Sequence, residues 1–165
     1  MKICLECGEG GHLQEMLSIQ EAFENHDIFF ITSKSQYTKE LKKQAKVYYI
    51  EQQFMVSLLF LRPKKLSYAV FVLLYLIQGT FASIGILLRE RPDVIVTTAG
   101  AITIPLCYIG KLLGIHIIYL ESLARVHNPS RSGKIVYLVA DLFLVQWEAL
   151  LKQYGKKARY WGSVI

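Results

Sequence analysis

The sequence predicts an open α/β sheet of parallel strands, and two features of the chain indicate this fold. Short apolar runs alternate with helical patterns along most of the 165 residues. The runs are almost continuously apolar, which is typical of parallel strands that are buried on both faces. Because a helix separates successive strands, we expect right-handed crossovers within one sheet. The chain is long enough for a single core, so residues 1–165 are assigned to one domain.

The predicted strands are the short runs rich in apolar residues, and they lie at Lys2–Cys7, Asp27–Thr32, Lys46–Ile50, Val94–Thr98, Ile115–Leu120, Leu142–Val145 and Ala158–Trp161. The predicted helices lie between these strands, at His12–Asn25, Tyr37–Gln44, Ile104–Leu113, Gly133–Val139 and Glu148–Tyr154. Gly114 and Gly155 directly follow two of these helices, at the position where a glycine commonly ends a helix.

The segment Phe54–Leu88 interrupts this alternation. From Tyr68 to Leu88 it carries no charge, and as a helix this part is about 31 Å long, which makes it a candidate for crossing a membrane. A single crossing would separate the strands on its two sides, and Gln78 and Gly79 break the apolar run. We therefore expect a long helix with one side on the sheet and the rest on a membrane or a partner, with a core helix and a true span as alternatives. Basic residues flank the segment and suit anionic head groups: Lys64, Lys65, Arg89 and Arg91.

The composition indicates apolar surface beyond that of an ordinary core. Hydrophobic residues make up 53% of the chain, and the mean hydropathy is +0.31. Such an excess is buried in the core, at a partner interface or against lipid. The net charge of +6 suits an anionic partner, namely a membrane surface, a nucleic acid or a phosphorylated substrate. The basic residues are dispersed instead of forming one strip with aromatic residues, which disfavours nucleic acid.

The cysteines predict reduced, buried thiols in a cytoplasmic protein. Cys4 and Cys7 have C-x-x-C spacing but fall on a strand, where they are roughly 10 Å apart and too distant for a disulfide. The remaining Cys and His residues lack zinc-ligand spacing, so we expect no metal site. The chain begins Met1-Lys2 directly before the first strand, without a signal-peptide pattern. The expected location is the cytoplasmic face of a membrane, with peripheral or monotopic attachment and no secretion.

The first predicted strand is followed by a glycine-rich loop that favours a phosphate or diphosphate. Gly8, Gly10 and Gly11 let the backbone approach a ligand closely, and they leave the first N–H groups of the next helix unobstructed. The loop is not a P-loop, because Gly-Lys-Ser/Thr is absent. It is also a poor dinucleotide fingerprint, because Leu13 takes the place of the third glycine and no acid follows the second strand.

His12 lies at the start of the helix after this loop. The positive end of the helix dipole disfavours protonation, so we expect a neutral imidazole at pH 7 that acts as a general base or donates to a phosphate. A histidine that only packs or caps is the alternative. Glu15, one turn later, is expected to orient His12 or to cap N–H groups.

Two further loops carry candidate binding residues after predicted strands. Thr98 and Gly100 belong to a second cradle for an anion or a sugar, unless this is an ordinary strand-to-helix turn. The third loop has Glu121, Ser122 and Arg125. A carboxylate there accepts sugar hydroxyls or a proton, and a guanidinium binds phosphate bidentately, whereas a structural Glu121–Arg125 ion pair is the alternative. An apolar, aromatic edge with Tyr160, Trp161 and Gly162 is expected to dock on its own domain or on a partner.

Several ordered motifs together resemble one family and extend over nearly the whole chain. They are Gly8-x-Gly10-Gly11-His12-x-x-Glu15-Met16, Thr98-x-Gly100 with Pro105, Glu121-Ser122-x-x-Arg125-Val126, Gly133-Lys134, Ala140-Asp141-x-Phe143-x-Val145-Gln146-Trp147 and Tyr160-x-Gly162. The set is similar to the membrane-anchoring subunit of the two-subunit N-acetylglucosaminyltransferase that adds the second sugar to dolichyl-diphosphate-GlcNAc. It resembles equally the bacterial exopolysaccharide counterparts of that subunit.

The resemblance implies a fold and a division of labour. The fold is the N-terminal half of a GT-B glycosyltransferase. This chain would bind a polyprenyl- or dolichyl-diphosphate-linked sugar at the membrane, and a separate small subunit would bind most of the UDP-sugar. The UDP-sugar is a substrate, so no cofactor is expected. The active site would form only between the two chains, with the segment Tyr160–Gly162 in the docking element.

The resemblance also implies roles for individual residues. Gly10, Gly11 and His12 match the diphosphate loop, and Glu121 matches an acidic position that faces the cleft. His12 and Glu121 are therefore the candidate catalytic residues. Glu9 departs from the family pattern, which often has a small residue there, and a carboxylate repels a diphosphate. Two alternatives are a catalytically silent membrane scaffold for the partner and an independent flavodoxin-like nucleotide-binding protein.

Overall fold

The computed structural model describes residues 1–50, 65–100 and 102–164, with the side chains of residues 65–72 and 75 left undescribed. Within these ranges, seven parallel strands form one sheet in the order β3-β2-β1-β4-β5-β6-β7. The strands are β1 (Lys2–Cys7), β2 (Asp27–Thr32), β3 (Lys46–Tyr49), β4 (Val94–Thr97), β5 (His116–Leu120), β6 (Leu142–Val145) and β7 (Ala158–Tyr160). The predicted open parallel α/β sheet is confirmed.

The helices are α1 (Gly11–Ile19), α2 (Lys65–Glu90), α3 (Thr103–Leu112), α4 (Arg131–Val136) and α5 (Leu151–Tyr154). Three segments form 3₁₀ turns, namely Gln20–Phe23, Tyr37–Lys43 and Glu148–Leu150. The first helix is thus shorter than predicted. The Ser18 hydroxyl donates to the Gln14 carbonyl at 2.9 Å, and such a bond competes with the regular helix pattern near this end. The fourth helix begins earlier than predicted because the Ser130 side chain caps it by accepting from the Gly133 N–H.

Alternate residues of β1 face opposite layers, which explains the continuous apolar pattern of the strands. Ile3 and Leu5 lie in a cluster with Leu13 and Met16 of α1, whereas Cys4 lies in the cluster on the other face. The second cluster receives side chains from α2 and α3, including Leu87 and Leu106. Helices therefore cover both faces of the sheet, as a parallel sheet requires.

The chain reverses its direction of progress across the sheet at β1. It moves outward from β1 to β2 and β3, and it then returns to place β4 on the other side of β1. Ligands of open parallel sheets bind beyond the carboxyl ends of the strands at such a switch point. The loops that follow β1 and β4 meet at this point of the sheet.

Helix α2 has 26 residues and combines a buried side with an exposed apolar side. Ile86 and Leu87 lie in the core. Among the described side chains of the helix, five large apolar ones are exposed, and we call them the α2 stripe: Leu73, Leu74, Ile77, Phe81 and Leu88. The predicted long helix with one side on the sheet is confirmed for its described part. Residues 51–64, which include Phe54 and Lys64, lie outside the described residues. Among the described helices, none has both the length and the apolar character needed to cross a membrane.

The carboxylate of Glu90 joins the end of α2 to the amino-terminal edge of the sheet. Its oxygens lie 2.6 Å from Lys2 Nζ and 2.5 Å from Lys46 Nζ, and Tyr48 donates its hydroxyl to the same group. The hydrogen bond from Lys2, followed by those from Lys46 and Tyr48, lowers the pKa of Glu90 to about 2. This buried acid therefore stabilises the edge of the sheet opposite to the switch point.

Candidate functional site

A cleft of about 810 Å³ lies beyond the carboxyl ends of the central strands. Its lining comes from the loops after β1, β4 and β5: His12, Ala99, Ile104, Glu121, Ser122, Ala124, Arg125, Pro129, Ser130, Arg131 and Ser132. Four of the site residues predicted from the sequence, His12, Glu121, Ser122 and Arg125, thus lie around one space.

A smaller recess of about 320 Å³ adjoins the cleft and shares His12, Ala99 and Ser132 with it. Gly8 and Gly100, both predicted to bind substrate, line this recess. Glu9 lines the recess as well, so an acidic residue lies beside the predicted diphosphate loop. The first two loops therefore form one continuous wall.

The start of α1 borders the cleft through His12, whereas Gly10 and Gly11 line neither the cleft nor the recess. Gly10 has a φ of 70°, a conformation that favours glycine, and the helix begins at Gly11 directly after it. No described side chain caps this helix start. The Gly8 N–H donates to the Ala99 carbonyl at 3.0 Å, which ties the glycine loop to the loop after β4. Gly10 and Gly11 are exposed, and the binding of an anion by their amides stays a prediction.

His12 and Glu15 lie side by side on α1. The distance from His12 Nδ1 to Glu15 Oε2 is 3.4 Å, and the Glu15 side chain is only 4% exposed. The other carboxylate oxygen of Glu15 accepts from the Ser122 hydroxyl at 3.1 Å and from the Leu123 N–H at 2.7 Å. Glu15 therefore both orients His12 and holds the loop after β5 against α1.

The direction predicted for the His12 pKa is wrong. The interaction with the Glu15 carboxylate raises the pKa of His12 above 6.5, and it outweighs the burial that lowers it; the charges of Glu15 and Glu6 raise it further. A buried carboxylate at 3.4 Å favours the charged form of the ring, which is the opposite of the effect expected from the start of the helix.

Thr98 and Gly100 have separate functions in the second loop. Thr98 is fully buried, and its hydroxyl donates to the His12 carbonyl at 2.8 Å. It therefore holds the glycine loop instead of facing a ligand. Gly100 lies directly over the Glu6 carboxylate, where an added Cβ would be 2.2 Å from Glu6 Oε1.

Glu6 is a buried residue of the site that the sequence analysis missed. Its Oε2 atom accepts from Thr97 Oγ1 at 2.5 Å and from Thr103 Oγ1 at 2.7 Å. The signal available in the sequence was a single acid near the end of an otherwise apolar strand. That signal alone does not distinguish an inward-facing residue from an exposed one.

The carboxylate of Glu121 lines the cleft but already has several internal partners. It accepts from the Ser122 N–H at 2.9 Å, from the Ser130 N–H at 3.1 Å and from the Ser130 hydroxyl at 2.9 Å. Tyr154 donates its hydroxyl to the same group. Among the described residues, Glu121 forms no ion pair with Arg125, so the alternative of a Glu121–Arg125 pair is not found. These contacts connect the two ends of the 121–130 loop through the Glu121 carboxylate.

Two arginines make the rim of the cleft basic. Arg125 and Arg131 both line the cleft and are exposed, and no described carboxylate lies within ion-pair distance of either. Arg131 was not among the site residues assigned from the sequence. A diphosphate has two charged groups, and two unpaired guanidinium groups at one opening match that charge.

The aromatic edge at Tyr160 and Trp161 is partly exposed and is linked to the cleft loop. Trp161 is 73% exposed and Tyr160 is 42% exposed. Gln146, which is buried, donates from Nε2 to the Glu121 carbonyl at 3.0 Å and accepts from the Val164 N–H at 3.1 Å. One side chain therefore contacts both the segment after β7 and the loop that lines the cleft.

No metal site is present among residues 1–50, 65–100 and 102–164, because no group of three or more His, Cys, Asp or Glu side chains there is placed to hold an ion. The described contacts at His12, Glu15 and Glu121 are all with other protein groups.

Solved structures define the class of this fold. The chain is similar to MurG of Acinetobacter baumannii, with a TM-score of 0.69 and 13% identity over 99% of this chain and 45% of that one. The lipopolysaccharide outer core galactosyltransferase WaaB matches with a TM-score of 0.60 and 17% identity, over 96% of this chain and 44% of that one. At such identities the likeness concerns the fold alone. It is the fold of one half of a GT-B glycosyltransferase.

The family follows from the sequence, because residues 3–164 match the family described as "Oligosaccharide biosynthesis protein Alg14 like". The chain belongs to this Alg14-like family. Proteins named UDP-N-acetylglucosamine transferase subunit ALG14 are similar to it, at 42% identity in Candida albicans and 34% in Homo sapiens. These matches cover 48% and 54% of this chain, but less than half of each relative, 38% and 44%. The Saccharomyces cerevisiae protein of that name is 27% identical over 100% of this chain and 77% of its own length.

Proposed function

We propose that this chain is the acceptor-binding subunit of a membrane-associated, UDP-sugar-dependent glycosyltransferase. It binds a polyprenyl- or dolichyl-diphosphate-linked sugar and recruits a smaller subunit that binds the UDP-sugar. The observation that carries the proposal is the joint placement of an uncapped helix start, two basic residues and a carboxylate-oriented histidine around one cleft. The names of the similar proteins support a subunit of a UDP-N-acetylglucosamine transferase.

The geometry supports His12 as the base of the reaction. Because Nδ1 faces Glu15, Nε2 is the ring nitrogen left for the acceptor hydroxyl. His12 removes the hydroxyl proton while the acceptor oxygen forms a bond to the anomeric carbon of the donor sugar. The bond between that carbon and the diphosphate breaks, and UDP leaves with the electron pair. The configuration at the anomeric carbon is inverted.

The remaining site residues hold the acceptor. The amides at Gly10 and Gly11, together with Arg125, neutralise the acceptor diphosphate before and during the reaction. Glu121 keeps the loop that carries Ser122 and Arg125 in place, and it lies close enough to the cleft to accept a sugar hydroxyl. No cofactor takes part in these steps.

Reconstitution tests the proposal directly. We expect the purified chain alone to transfer no sugar from UDP-GlcNAc to a GlcNAc-diphosphate-polyprenol, and to do so when mixed with the nucleotide-sugar-binding subunit. Full activity of the chain alone would contradict the proposal, and so would tight UDP binding without a partner, which the flavodoxin-like alternative requires. A silent scaffold instead predicts unchanged kcat when His12 and Glu121 are replaced by alanine in the complex.

The aromatic edge is the proposed surface for the partner subunit. Trp161 is strongly exposed next to Tyr160 and Gly162. We expect Trp161→Ala to weaken co-purification with the partner by more than tenfold, because exposed tryptophans are frequent interface hot spots worth about 2 kcal/mol or more. Tyr37→Ala is the matched control, since Tyr37 is 78% exposed on the opposite side of the sheet. Equal loss in both variants would exclude this edge as the docking surface.

The α2 stripe is the proposed contact with the membrane. Its exposed apolar residues lie next to Arg89 and Arg91, and such a combination suits a surface with anionic lipids. We expect Phe81→Glu to reduce binding to phosphatidylglycerol vesicles in a flotation assay. Gln78→Glu makes a comparable charge change at an exposed polar position of the same helix and is expected to bind as the wild type does. Unchanged binding of Phe81→Glu would refute this contact.

A further inference from the structure

Glu6 is a buried acid that the proposed reaction does not use. It lies near the end of β1, is 1% exposed, and is located beneath the loop that follows β4. Two hydroxyls donate to the same carboxylate oxygen, Thr97 Oγ1 at 2.5 Å and Thr103 Oγ1 at 2.7 Å. These threonines stand at the two ends of the 97–103 loop, so one carboxylate connects both ends.

The two threonines in turn fix the backbone between them. The Ala99 N–H donates to Thr97 Oγ1 at 3.0 Å, and the Gly100 N–H donates to Thr103 Oγ1 at 2.5 Å. Ala99 has a φ of 70°, which is uncommon for a residue with a side chain and persists only where neighbouring contacts determine it. Because both threonines donate to Glu6, its carboxylate determines where the backbone of Ala99 and Gly100 is held.

Thr98 and Ala99 of this loop also form hydrogen bonds with the glycine loop and with His12. The Ala99 carbonyl accepts from the Gly8 N–H at 3.0 Å. The Thr98 hydroxyl donates to the His12 carbonyl at 2.8 Å. Hydrogen bonds, together with the backbone of residues 97–99, therefore connect the Glu6 carboxylate to the residue proposed as the base.

We propose that Glu6 is a positioning residue of the cleft, which acts through the 97–103 loop to hold the glycine loop and His12 in their reactive placement. This inference rests on the proposed function for its effect on catalysis, but not for its effect on the loop. The close packing of Gly100 on the Glu6 carboxylate supports this role of Glu6, because a side chain at Gly100 would displace the carboxylate. Burial raises the pKa of Glu6, and the hydrogen bonds from Thr97, Thr103 and the Ile102 backbone oppose that rise.

The test compares Glu6→Gln with Glu90→Gln in the full chain. Both replacements keep the side-chain size and remove a buried carboxylate that accepts several hydrogen bonds, but Glu90 lies at the opposite edge of the sheet. The first readout is the NMR spectrum of the ligand-free chain, with the amide signals of Gly8 and Gly100 and the ring signals of His12. The second is kcat for transfer to a GlcNAc-diphosphate-polyprenol in the presence of the partner subunit.

We expect Glu6→Gln to shift the Gly8, Gly100 and His12 signals, and to lower kcat on the order of 100-fold, as a misplaced reacting group does. Glu90→Gln is expected to lose stability while leaving those signals and kcat unchanged. Unshifted signals in Glu6→Gln, or equal shifts in both variants, would overturn the inference. If Glu6→Gln does not fold, Thr103→Val removes one of the two donors and is judged by the same signals. A wild-type complex without transfer activity would contradict the proposed function, while the ligand-free spectra still decide the role of Glu6.

Discussion

Replacing His12 with alanine is expected to lower kcat of the reconstituted two-subunit enzyme by about 10²- to 10⁴-fold, the usual contribution of a general base. The fold should tolerate this change, because the His12 side chain is 36% exposed at a helix start and its ring packs in no core cluster of the described residues. Steady-state transfer to a lipid-diphosphate acceptor measures the effect. His116→Ala is the control. His116 is exposed and begins β5, so it lies at the amino-terminal ends of the strands, away from the cleft.

The pH dependence of kcat provides a second measure of the same role. A base must be neutral to accept a proton, so kcat is expected to rise with pH through the pKa of His12. Glu15 raises that pKa above 6.5, which places the midpoint on the alkaline side of an ordinary histidine. Glu15→Gln removes the charge beside Nδ1, so it should move the midpoint to lower pH. A midpoint that is the same in both proteins, or wild-type kcat in His12→Ala, would exclude His12 as the base.

Gly100→Ala is expected to destabilise the fold, because the added methyl group overlaps the buried Glu6 carboxylate. The new Cβ would lie 2.2 Å from Glu6 Oε1 and 2.8 Å from the Cys7 carbonyl carbon, and neither the buried carboxylate nor the strand backbone can move freely. Overpacking of this kind costs about 1–3 kcal/mol, and more where backbone must shift. Urea denaturation of the full chain measures the loss in free energy of unfolding.

Gly85→Ala is the matched control for this prediction. Gly85 is exposed within α2, and no described atom lies within 4 Å of the Cβ that it would gain. Alanine is favoured over glycine in a helix interior by about 0.5–1 kcal/mol, so this variant should be slightly more stable than the wild type. Similar denaturation midpoints for Gly100→Ala and Gly85→Ala would show that the loop relaxes around an added methyl group.

Much of the sheet could be predicted from the sequence, because the strands are buried on both faces and each appears as an apolar run. The predicted strand Lys2–Cys7 coincides with β1, and Val94–Thr98 exceeds β4 by one residue. Helix bounds were less accurate because they depend on capping. Helix α4 begins two residues before the predicted Gly133, because the Ser130 hydroxyl caps it by accepting from the Gly133 N–H. Apolar periodicity does not reveal such a capping bond.

The placement of the glycine loop, His12 and the loop after β5 at one cleft could also be predicted, because parallel strands end at the same edge. The contacts that define each role could not. Glu15 was expected next to His12, but its burial depends on Ser122 and the Leu123 N–H, which are distant in sequence. Those contacts keep the Glu15 carboxylate beside His12, where it raises the pKa of the ring. The partners of Glu121 likewise include Tyr154, which only the folded sheet brings to it.

The distance along the chain between the contacts of the cleft has a consequence for folding. Thr97 and Glu6 are 91 residues apart, and Ser122 and Glu15 are 107 residues apart. Contacts with such separations form slowly, because a long loop must close before they stabilise anything. During synthesis from the amino terminus, the glycine loop therefore lacks its contacts with Thr98 and Ala99 until those residues have been made. Glu15 lacks its contacts with Ser122 and Leu123 until the segment up to residue 123 has been made. The cleft is a late product of folding, and no fragment that ends before the loop after β5 can contain it.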